Sequence, residues 1–301
     1  MLVCRHYLLT DRALALPCTG RIDGSLEKRM FPYFTLFGKV IGSYALISII
    51  GLIVCCIVTV RLGKKYKIEL EDIVLAAVAV GIGLILGGHL LYGITNIDYM
   101  IAEFHSSEVM TLHRCWTILA TAFGGMVFYG GFLGGLLGLS VFARFSSCNS
   151  REYFFDLYAV ITPLFHVFGR IGCFLGGCCY GIESSFGFTV TGNTLVPELN
   201  GVCRFPVQLV EAACNLVLFL ILLILFHSER HSKHLTYTYM LMYSPIRFCL
   251  EFLRGDAIRG NWMGLSTSQW ISLILFSIAA IQTFRYRSHA RSAKNSNEQR
   301  V

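Results

Sequence analysis

Charged residues are scarce in this 301-residue sequence. Asp, Glu, Lys and Arg together make up 14% of it, whereas 55% of the residues are apolar. Soluble domains carry closer to about 25% charged residues. The mean hydropathy of +0.62 also lies on the apolar side. The composition therefore excludes an ordinary soluble domain and predicts an integral membrane protein.

The sequence also lacks the alternation of apolar and polar residues that marks the strands of outer-membrane barrels. It contains instead continuous apolar stretches long enough for an α-helix to cross a hydrocarbon core about 30 Å thick. Seven such stretches occupy 38–60, 73–94, 115–142, 154–174, 206–226, 235–253 and 263–284. We predict an all-α membrane protein, a bundle of about seven transmembrane helices with a small extracytoplasmic loop region.

Lys and Arg residues cluster in alternate connections between these stretches. The first, third and fifth connections and the C-terminal tail are basic, whereas 95–112 and 175–203 contain neither residue. The positive-inside rule predicts a cytoplasmic C-terminus and, with seven spans, an N-terminus outside. No predicted helix carries a basic stripe, so the net charge of +7 does not indicate nucleic-acid binding.

Residues 1–30 break this rule, because they are basic and fall on the predicted outer side. Our hypothesis is that the biological start is Met30 and that the leader is a mis-called extension. The seven-span membrane domain is then 31–285, followed by a basic cytoplasmic tail at 286–301.

Glycine is concentrated in the third stretch, where Gly130, Gly134 and Gly138 fall on one helix face. Gly83 and Gly87 repeat this spacing in the second stretch. Small residues at such a spacing let two helices approach closely. We favour tight helix packing over the alternative, room for a bulky lipid.

The sixth stretch carries Arg247, Glu251 and Arg254 on one helix face. Glu251 can neutralise only one arginine, which predicts an excess of planar positive charge suited to a phosphate group. The alternative is an ion-paired helix end at the membrane surface.

Ionisable residues also interrupt the fourth and fifth stretches, and such residues usually mark function. Arg170 is either a second anion-binding residue or the ion-pair partner of Asp156. Glu211 needs a partner, and an arginine of the fourth or sixth stretch is the candidate. Tyr44 and Tyr129 place hydroxyl groups at membrane depth, where packing is the commoner role.

Most of the 12 cysteines are scattered singly, but Cys173, Cys178 and Cys179 lie together. They lack the spacing of a good zinc site, and vicinal cysteines cannot both face one metal ion without strain. Packing at a turn is the favoured interpretation. A metal or redox site is an alternative, as is a disulfide from this group to Cys203 in an outward-facing loop.

Ordered motifs resemble the prolipoprotein diacylglyceryl transferase family from about residue 31 to 284. They are SYAL, GGHLLY, YGGFLGG, GRIGCF with a closing YG, RFPVQLVEA, RFCLEFLRGD and GLSTSQWIS. The resemblance implies a multi-pass enzyme of the bacterial inner membrane. Such an enzyme transfers the diacylglyceryl group of phosphatidylglycerol to the lipobox cysteine of a preprolipoprotein signal peptide and releases glycerol phosphate. It requires no metal or other cofactor.

The resemblance also assigns residues, with Arg170 and Arg247 as the essential arginines and Gly181 as the closing glycine. The predicted catalytic residues are Arg170, Arg247, Tyr129 and His89. The predicted substrate-binding residues are Arg170, Tyr44, Glu211, Glu251, Arg254, Gly181 and Cys173.

Three positions depart from the family pattern. Tyr129 stands where the family usually has histidine, Cys173 where it has asparagine, and His89 where it has arginine. The usual histidine is a candidate base, so its role falls to Tyr129, His89 or His166, or to arginines that lower the pKa of the thiol. A related lipid transferase with another acceptor and a transporter are the alternative functions.

Overall fold

A computed structural model describes residues 33–36, 39–106, 109–146, 151–189, 200–228, 235–256 and 261–298. The leader, with its hypothetical start at Met30, lies outside the described residues. Within them the chain forms helices joined by short hairpins. The helices are α1 (Ser43–Lys65), α2 (Leu70–Thr95), α3 (Ile97–Phe104), α4 (Leu112–Ala122), α5 (Phe128–Phe145), α6 (Arg151–Gly176), α7 (Val207–His227), α8 (Leu235–Glu251) and α9 (Thr267–Glu298). The strands are β1 (Tyr33–Leu36), β2 (Lys39–Gly42), β3 (Glu183–Thr189), β4 (Cys203–Arg204), β5 (Asn261–Trp262) and β6 (Leu265–Ser266).

Six of the described helices are long and apolar enough to cross a membrane. They are α1, α2, α5, α6, α7 and α9. The sixth apolar stretch forms α8, which has 17 residues, contains Pro245 and packs against α6, α7 and α9. The chain is therefore an all-α membrane protein, as its composition predicts.

The third apolar stretch is not one helix, and the prediction of a continuous span over 115–142 is wrong. Helix α4 ends at Ala122 and α5 begins at Phe128. Gly124 and Gly125 lie between them, where glycine weakens the helical backbone. The amide of Val127 then donates to the carbonyl oxygen of Gly88 in α2, at 3.1 Å, instead of continuing α4.

Helices α2 and α5 pack through their glycines, which confirms the packing interpretation of this spacing. A β-carbon at Gly83 would collide with the carbonyl oxygen of Gly134, and one at Gly87 with that of Gly130. The two backbones are therefore in direct contact. Inside a bilayer the hydrophobic effect does not drive helices together, because lipid tails are as apolar as the side chains. Dispersion interactions between closely packed helices drive association instead.

One end of the bundle carries Lys64 and Lys65 in the last turn of α1. Here the hydroxyl of Tyr66 donates to the carbonyl oxygen of Phe226, at 2.7 Å. The amide of Leu235, the first residue of α8, donates to a carboxylate oxygen of Asp156, at 2.9 Å. Asp156 thus satisfies one of the free N–H groups of a helix N-terminus.

The alternative that Asp156 pairs with Arg170 is wrong. The two residues are fourteen positions apart on the continuous helix α6, which separates them by about 21 Å. Asp156 therefore belongs to the basic end of the bundle and Arg170 to the opposite end.

The opposite end is held together by backbone pairing between three connections. The amide of Ile182 donates to the carbonyl oxygen of Leu253 and that of Gly255 to Tyr180, both at 3.0 Å. The amide of Phe205 donates to the carbonyl oxygen of Ile182, also at 3.0 Å. These bonds bring the end of α6, the start of α7 and the end of α8 to one place.

Candidate active site

A buried ion pair between Arg170 and Glu211 lies at the centre of this end. Nη2 of Arg170 donates to Oε1 of Glu211 at 3.0 Å, and Nε lies 3.0 Å from Oε2. Glu211 is 0% exposed and Arg170 is 7% exposed. The partner expected for Glu211, an arginine of the fourth or sixth stretch, is therefore confirmed as Arg170.

Two further side chains complete the surroundings of this pair. The hydroxyl of Tyr243, in α8, donates to Oε1 of Glu211 at 2.9 Å. Nε of Arg170 donates to Nε2 of His166, one turn earlier in α6, at 3.2 Å. Because Nε2 of His166 accepts this bond, it carries no proton, and the ring is stacked on Phe128.

Arg247 of α8 reaches the same pocket from a third helix. It forms an ion pair with Glu251, one turn later in α8, and its Nη2 donates to the hydroxyl of Ser268 at 3.3 Å. Its other terminal nitrogen, Nη1, is buried and has no hydrogen-bond partner among the described residues. A guanidinium donor left unpaired in a buried place is costly, which points to a ligand at this position.

Arg254 does not leave the excess positive charge that the sequence predicts. Its Nε and Nη2 donate to the two carboxylate oxygens of Asp256, at 2.9 and 2.8 Å. Burial alone would lower the pKa of Arg254, but these hydrogen bonds raise it above its ordinary value, so the side chain stays cationic. Its Nη1 is also buried without a partner in the described part of the chain.

Three helices therefore converge on one polar centre in an apolar bundle. Glu211 interacts electrostatically with Arg170, Arg247, Arg254 and His166. The pairs with Glu211, Glu251 and Asp256 fix the arginines in place, and they leave Nη1 of Arg247 and Arg254 as unpaired donors. Such a prearranged set of planar donors suits an anionic group with several oxygens.

The two remaining predicted catalytic residues occupy different surroundings. The hydroxyl of Tyr129, only 2% exposed, lies 2.6 Å from that of Ser272, and the side chain interacts electrostatically with Arg247 and Glu211. His89 bonds through Nδ1 to the carbonyl oxygen of Phe123 at 2.7 Å. No hydrogen bond or ion pair among the described residues joins His89 to Arg170 or Arg247.

Gly181 and Tyr44 lie at the edge of the pocket. A β-carbon at Gly181 would collide with the carbonyl oxygen of Phe205 and approach that of Leu253 to 3.0 Å. Only glycine fits between these two backbones, so Gly181 lets three connections meet. Tyr44, at the start of α1, packs on Gly172 of α6, where a β-carbon would lie 3.0 Å from its ring.

Cys173, Cys178 and Cys179 lie beside this pocket with their sulfur atoms within 4.8 Å of one another. None of the three forms a disulfide, whereas Cys203 is disulfide-bonded. The disulfide from this group to Cys203, left open by the sequence, is therefore not formed. Cys173 lies within electrostatic range of Arg170.

Sequence reasoning missed Tyr243, Asp256 and Ser268 as parts of the pocket. Tyr243 could have been found, because it lies one helical turn before Arg247 and so faces the same way. Asp256 follows the end of α8, where periodicity gives no direction for its side chain.

The comparisons with known proteins agree with these observations. The sequence profile of the prolipoprotein diacylglyceryl transferase family matches residues 32–285. A phosphatidylglycerol–prolipoprotein diacylglyceryl transferase of Clostridium perfringens is 33% identical over 243 residues, which are 80% of this chain and 89% of the relative. Similarly named relatives of Clostridium tetani and Teredinibacter turnerae are each 31% identical, over 84% and 89% of this chain and 97% and 92% of their own. The chain belongs to the prolipoprotein diacylglyceryl transferase family.

Proposed function

We propose that this protein transfers the diacylglyceryl group of phosphatidylglycerol to the cysteine thiol of a prolipoprotein lipobox. The observation that carries the proposal is the pair of unpaired, buried guanidinium donors of Arg247 and Arg254 beside Arg170. The relatives named above are called phosphatidylglycerol–prolipoprotein diacylglyceryl transferases. The pocket contains what such a reaction needs, fixed cations next to an apolar bundle.

The arginines bind the phosphodiester of the lipid headgroup. Their carboxylate partners hold each guanidinium in one orientation, so little conformational entropy is lost when the phosphate arrives. Nη1 of Arg247 and of Arg254 donate to the phosphate oxygens, and Arg170 adds positive charge. Arg170, Arg247 and Arg254 are therefore the proposed phosphate-binding residues, with Glu211 and Glu251 as the residues that position them.

The reaction is a displacement at the glycerol carbon that bears the phosphate. A thiolate sulfur forms the new C–S bond while the C–O bond to the phosphate breaks. The bonding electron pair leaves with the phosphate oxygen, and glycerol phosphate departs. Charge grows on that oxygen in the transition state, where prearranged guanidinium donors stabilise it most.

The proton of the incoming thiol needs an acceptor, and two predicted catalytic residues are proposed for it. Tyr129 is close enough to Arg247 and Glu211 to act within the pocket. His89 donates through Nδ1 to the carbonyl oxygen of Phe123, which leaves Nε2 as the ring nitrogen proposed to accept the proton. Tyr44, Gly181 and Cys173 form the edge past which the acceptor peptide enters.

The protein is a multi-pass membrane protein, and its orientation is part of the proposal. The pocket lies at the end of the bundle opposite the basic residues that follow α1, which favours a pocket facing outward and a cytoplasmic C-terminus. Exposed apolar side chains along α1 and α2 suit contact with lipid tails. A signal peptide still anchored in the bilayer then reaches the pocket from the side.

One assay tests the reaction. The purified protein is placed in phosphatidylglycerol vesicles with a lipobox peptide, and the diacylglyceryl thioether is detected by mass spectrometry. We expect product with the wild type, none with Arg247→Ala, and none with a peptide whose cysteine is replaced by serine. Vesicles of phosphatidylcholine are the matched lipid control. Absence of product from the wild type, or equal product from Arg247→Ala, would refute the proposal.

A further inference from the structure

The three neighbouring thiols of Cys173, Cys178 and Cys179 have no part in phosphate binding. We propose that they bind one Zn²⁺ ion, and that the acceptor cysteine of the peptide becomes its fourth ligand and is activated there as a thiolate. This inference rests on the proposed function, because it assigns the step that prepares the thiol. One of the three residues, Cys173, stands where the family usually has asparagine.

The end of α6 brings the first two thiols together. Gly177, with a φ of 70°, follows the last helical residue, and the amides of Gly177 and Cys178 donate back to the carbonyl oxygens of Phe174 and Cys173. This pattern is a Schellman motif, in which the residue two positions after the helix end packs against the residue three positions before it. Cys178 and Cys173 occupy those two positions.

The third thiol joins them because the backbone turns again at Cys179. Its φ of 56° is unusual for a residue with a side chain, and it directs two vicinal cysteines toward one point. The sequence alone argues against this arrangement because it requires strain. The structure contains the strained residue, and such outliers persist where function requires them.

The sulfur positions are close to those of a zinc site. Zn–S bonds of about 2.3 Å place tetrahedral ligands about 3.8 Å apart. The three sulfurs already lie within 4.8 Å of one another, so each must move by at most about 0.5 Å. Rotation about the Cα–Cβ bonds achieves this. Gln208 of α7 supports the turn, since its amide donates to the carbonyl oxygen of Cys178 at 2.9 Å.

The surroundings supply positive charge and leave room for a fourth ligand. Arg170 interacts electrostatically with Cys173 and Cys179, and Arg254 with Cys179, so positive charge offsets that of three thiolates around one Zn²⁺. Cys178 is exposed, which opens the group toward the acceptor. Three protein ligands and an open position are the arrangement of catalytic zinc sites.

The position of the three thiols beside the arginines brings the attacking sulfur close to the phosphate leaving group. The thiol loses its proton to the base proposed above, Tyr129 or His89, when its sulfur binds Zn²⁺. The bound sulfur then attacks the glycerol carbon with its lone pair, and the C–O electron pair leaves with the phosphate held by the arginines. Arg170 and Arg254 belong to the phosphate pocket and also adjoin the thiols, so nucleophile and leaving group are neighbours.

Metal binding is tested first, without turnover. The chain is purified under reducing conditions, stripped with a chelator, and titrated with Zn²⁺ against a chromogenic competitor and separately with Co²⁺. We expect one equivalent of metal and a sulfur-to-cobalt charge-transfer band. Replacing Cys173, Cys178 and Cys179 by serine removes both. Cys56→Ser and Cys249→Ser, at exposed free thiols elsewhere, serve as matched controls and retain them.

The fourth ligand is tested on the cobalt-loaded protein. A lipobox peptide shifts the cobalt spectrum, and the same peptide with serine in place of cysteine does not. Absence of stoichiometric Zn²⁺ binding would overturn the proposal. So would a disulfide among the three thiols in the protein isolated from cells, because that would make them a redox pair.

The transfer assay separates this inference from the proposed function. Removing Zn²⁺ lowers the transfer rate at pH 7 by about tenfold or more, since a free thiol is only a few per cent thiolate there. Adding Zn²⁺ restores it. Unchanged transfer by the stripped protein would overturn thiol activation and leave the proposed function intact. If the protein bound Zn²⁺ but transferred no diacylglyceryl group, both the proposed function and the activation of the thiol would be refuted.

Discussion

Arg170 and Glu211 form an ion pair with two N–O contacts of 3.0 Å each, joining α6 to α7 inside the bundle. Removing one charge from a buried pair leaves the other uncompensated, which costs about 3–5 kcal/mol. We therefore expect Glu211→Gln to lower the free energy of unfolding by about this amount and to abolish transfer. Denaturant unfolding in detergent micelles measures the first effect.

The pair of Glu183 and Arg204, in which the carboxylate is exposed, provides the control for this prediction. Its N–O distance is 3.4 Å, and the Glu183 side chain is largely open to solvent. Exposed pairs contribute less than about 1 kcal/mol, so Glu183→Gln changes the stability little. Equal stability losses in the two variants would contradict the importance of the buried pair.

Replacement of Arg247 or Arg254 by lysine tests whether the planar donors matter beyond their charge. Lysine keeps the positive charge but not the fork of donors that matches phosphate oxygens. We expect either variant to lower the rate of transfer by about 10²-fold or more, as loss of an oxyanion donor does. Rates measured against phosphatidylglycerol concentration show whether binding or the reaction step is affected.

Arg114→Lys is the matched control, because Arg114 also pairs with a carboxylate, Glu103, but this pair joins the first turn of α4 to α3. Its transfer rate stays near that of the wild type. Full activity of Arg247→Lys would show that positive charge alone suffices. It would contradict the role proposed for the unpaired Nη1 donor of Arg247.

Tyr129→Phe and His89→Gln identify the group that receives the thiol proton. Tyr129 lies at the pocket through its contact with Ser272, and general acid–base groups contribute about 10²–10⁴-fold. We expect Tyr129→Phe to lower the maximal rate by about 10²-fold with little change in the KM for lipid. His89→Gln, which keeps a donor for Phe123, has the smaller effect. The reverse order would assign the base to His89.

The sequence predicted those features that depend on spacing within one helix. The facing glycines of α2 and α5 and the shared face of Arg247 and Glu251 follow from helical periodicity alone. The sequence also predicted an arginine as the partner of Glu211, because a buried carboxylate requires one. Which arginine it is depends on how α6 packs against α7, and periodicity does not contain that information.

The failures have the same origin. The break before α5 depends on a hydrogen bond from Val127 to another helix, and the neutralisation of Arg254 depends on a residue beyond α8. The sequence argued against a metal site at the three thiols, because their spacing differs from that of known zinc motifs. Their proximity comes from the turn at Gly177, directly after the end of α6. The two glycines before Cys178 and Cys179 would have allowed this turn to be predicted.

Alanine at Gly87 tests the contact between α2 and α5. A β-carbon there would collide with the carbonyl oxygen of Gly130, so the helices must separate. Overpacking of this kind costs about 1–3 kcal/mol. Gly81 lies in the same helix with open space around its Cα, so Gly81→Ala is the control and keeps or raises the stability. Equal thermal stabilities for the two variants would contradict direct backbone contact.

Asp156→Ala separates stability from catalysis, because Asp156 lies at the end of the bundle away from the pocket. Its carboxylate accepts the amide of Leu235, and loss of a helix cap costs about 1–2 kcal/mol. We expect that loss of stability, with transfer per folded molecule unchanged. Asp156→Asn keeps an oxygen acceptor and should retain most of the stability. If Asp156→Ala abolished transfer in protein that remains folded, Asp156 would belong to the catalytic machinery, contrary to its position.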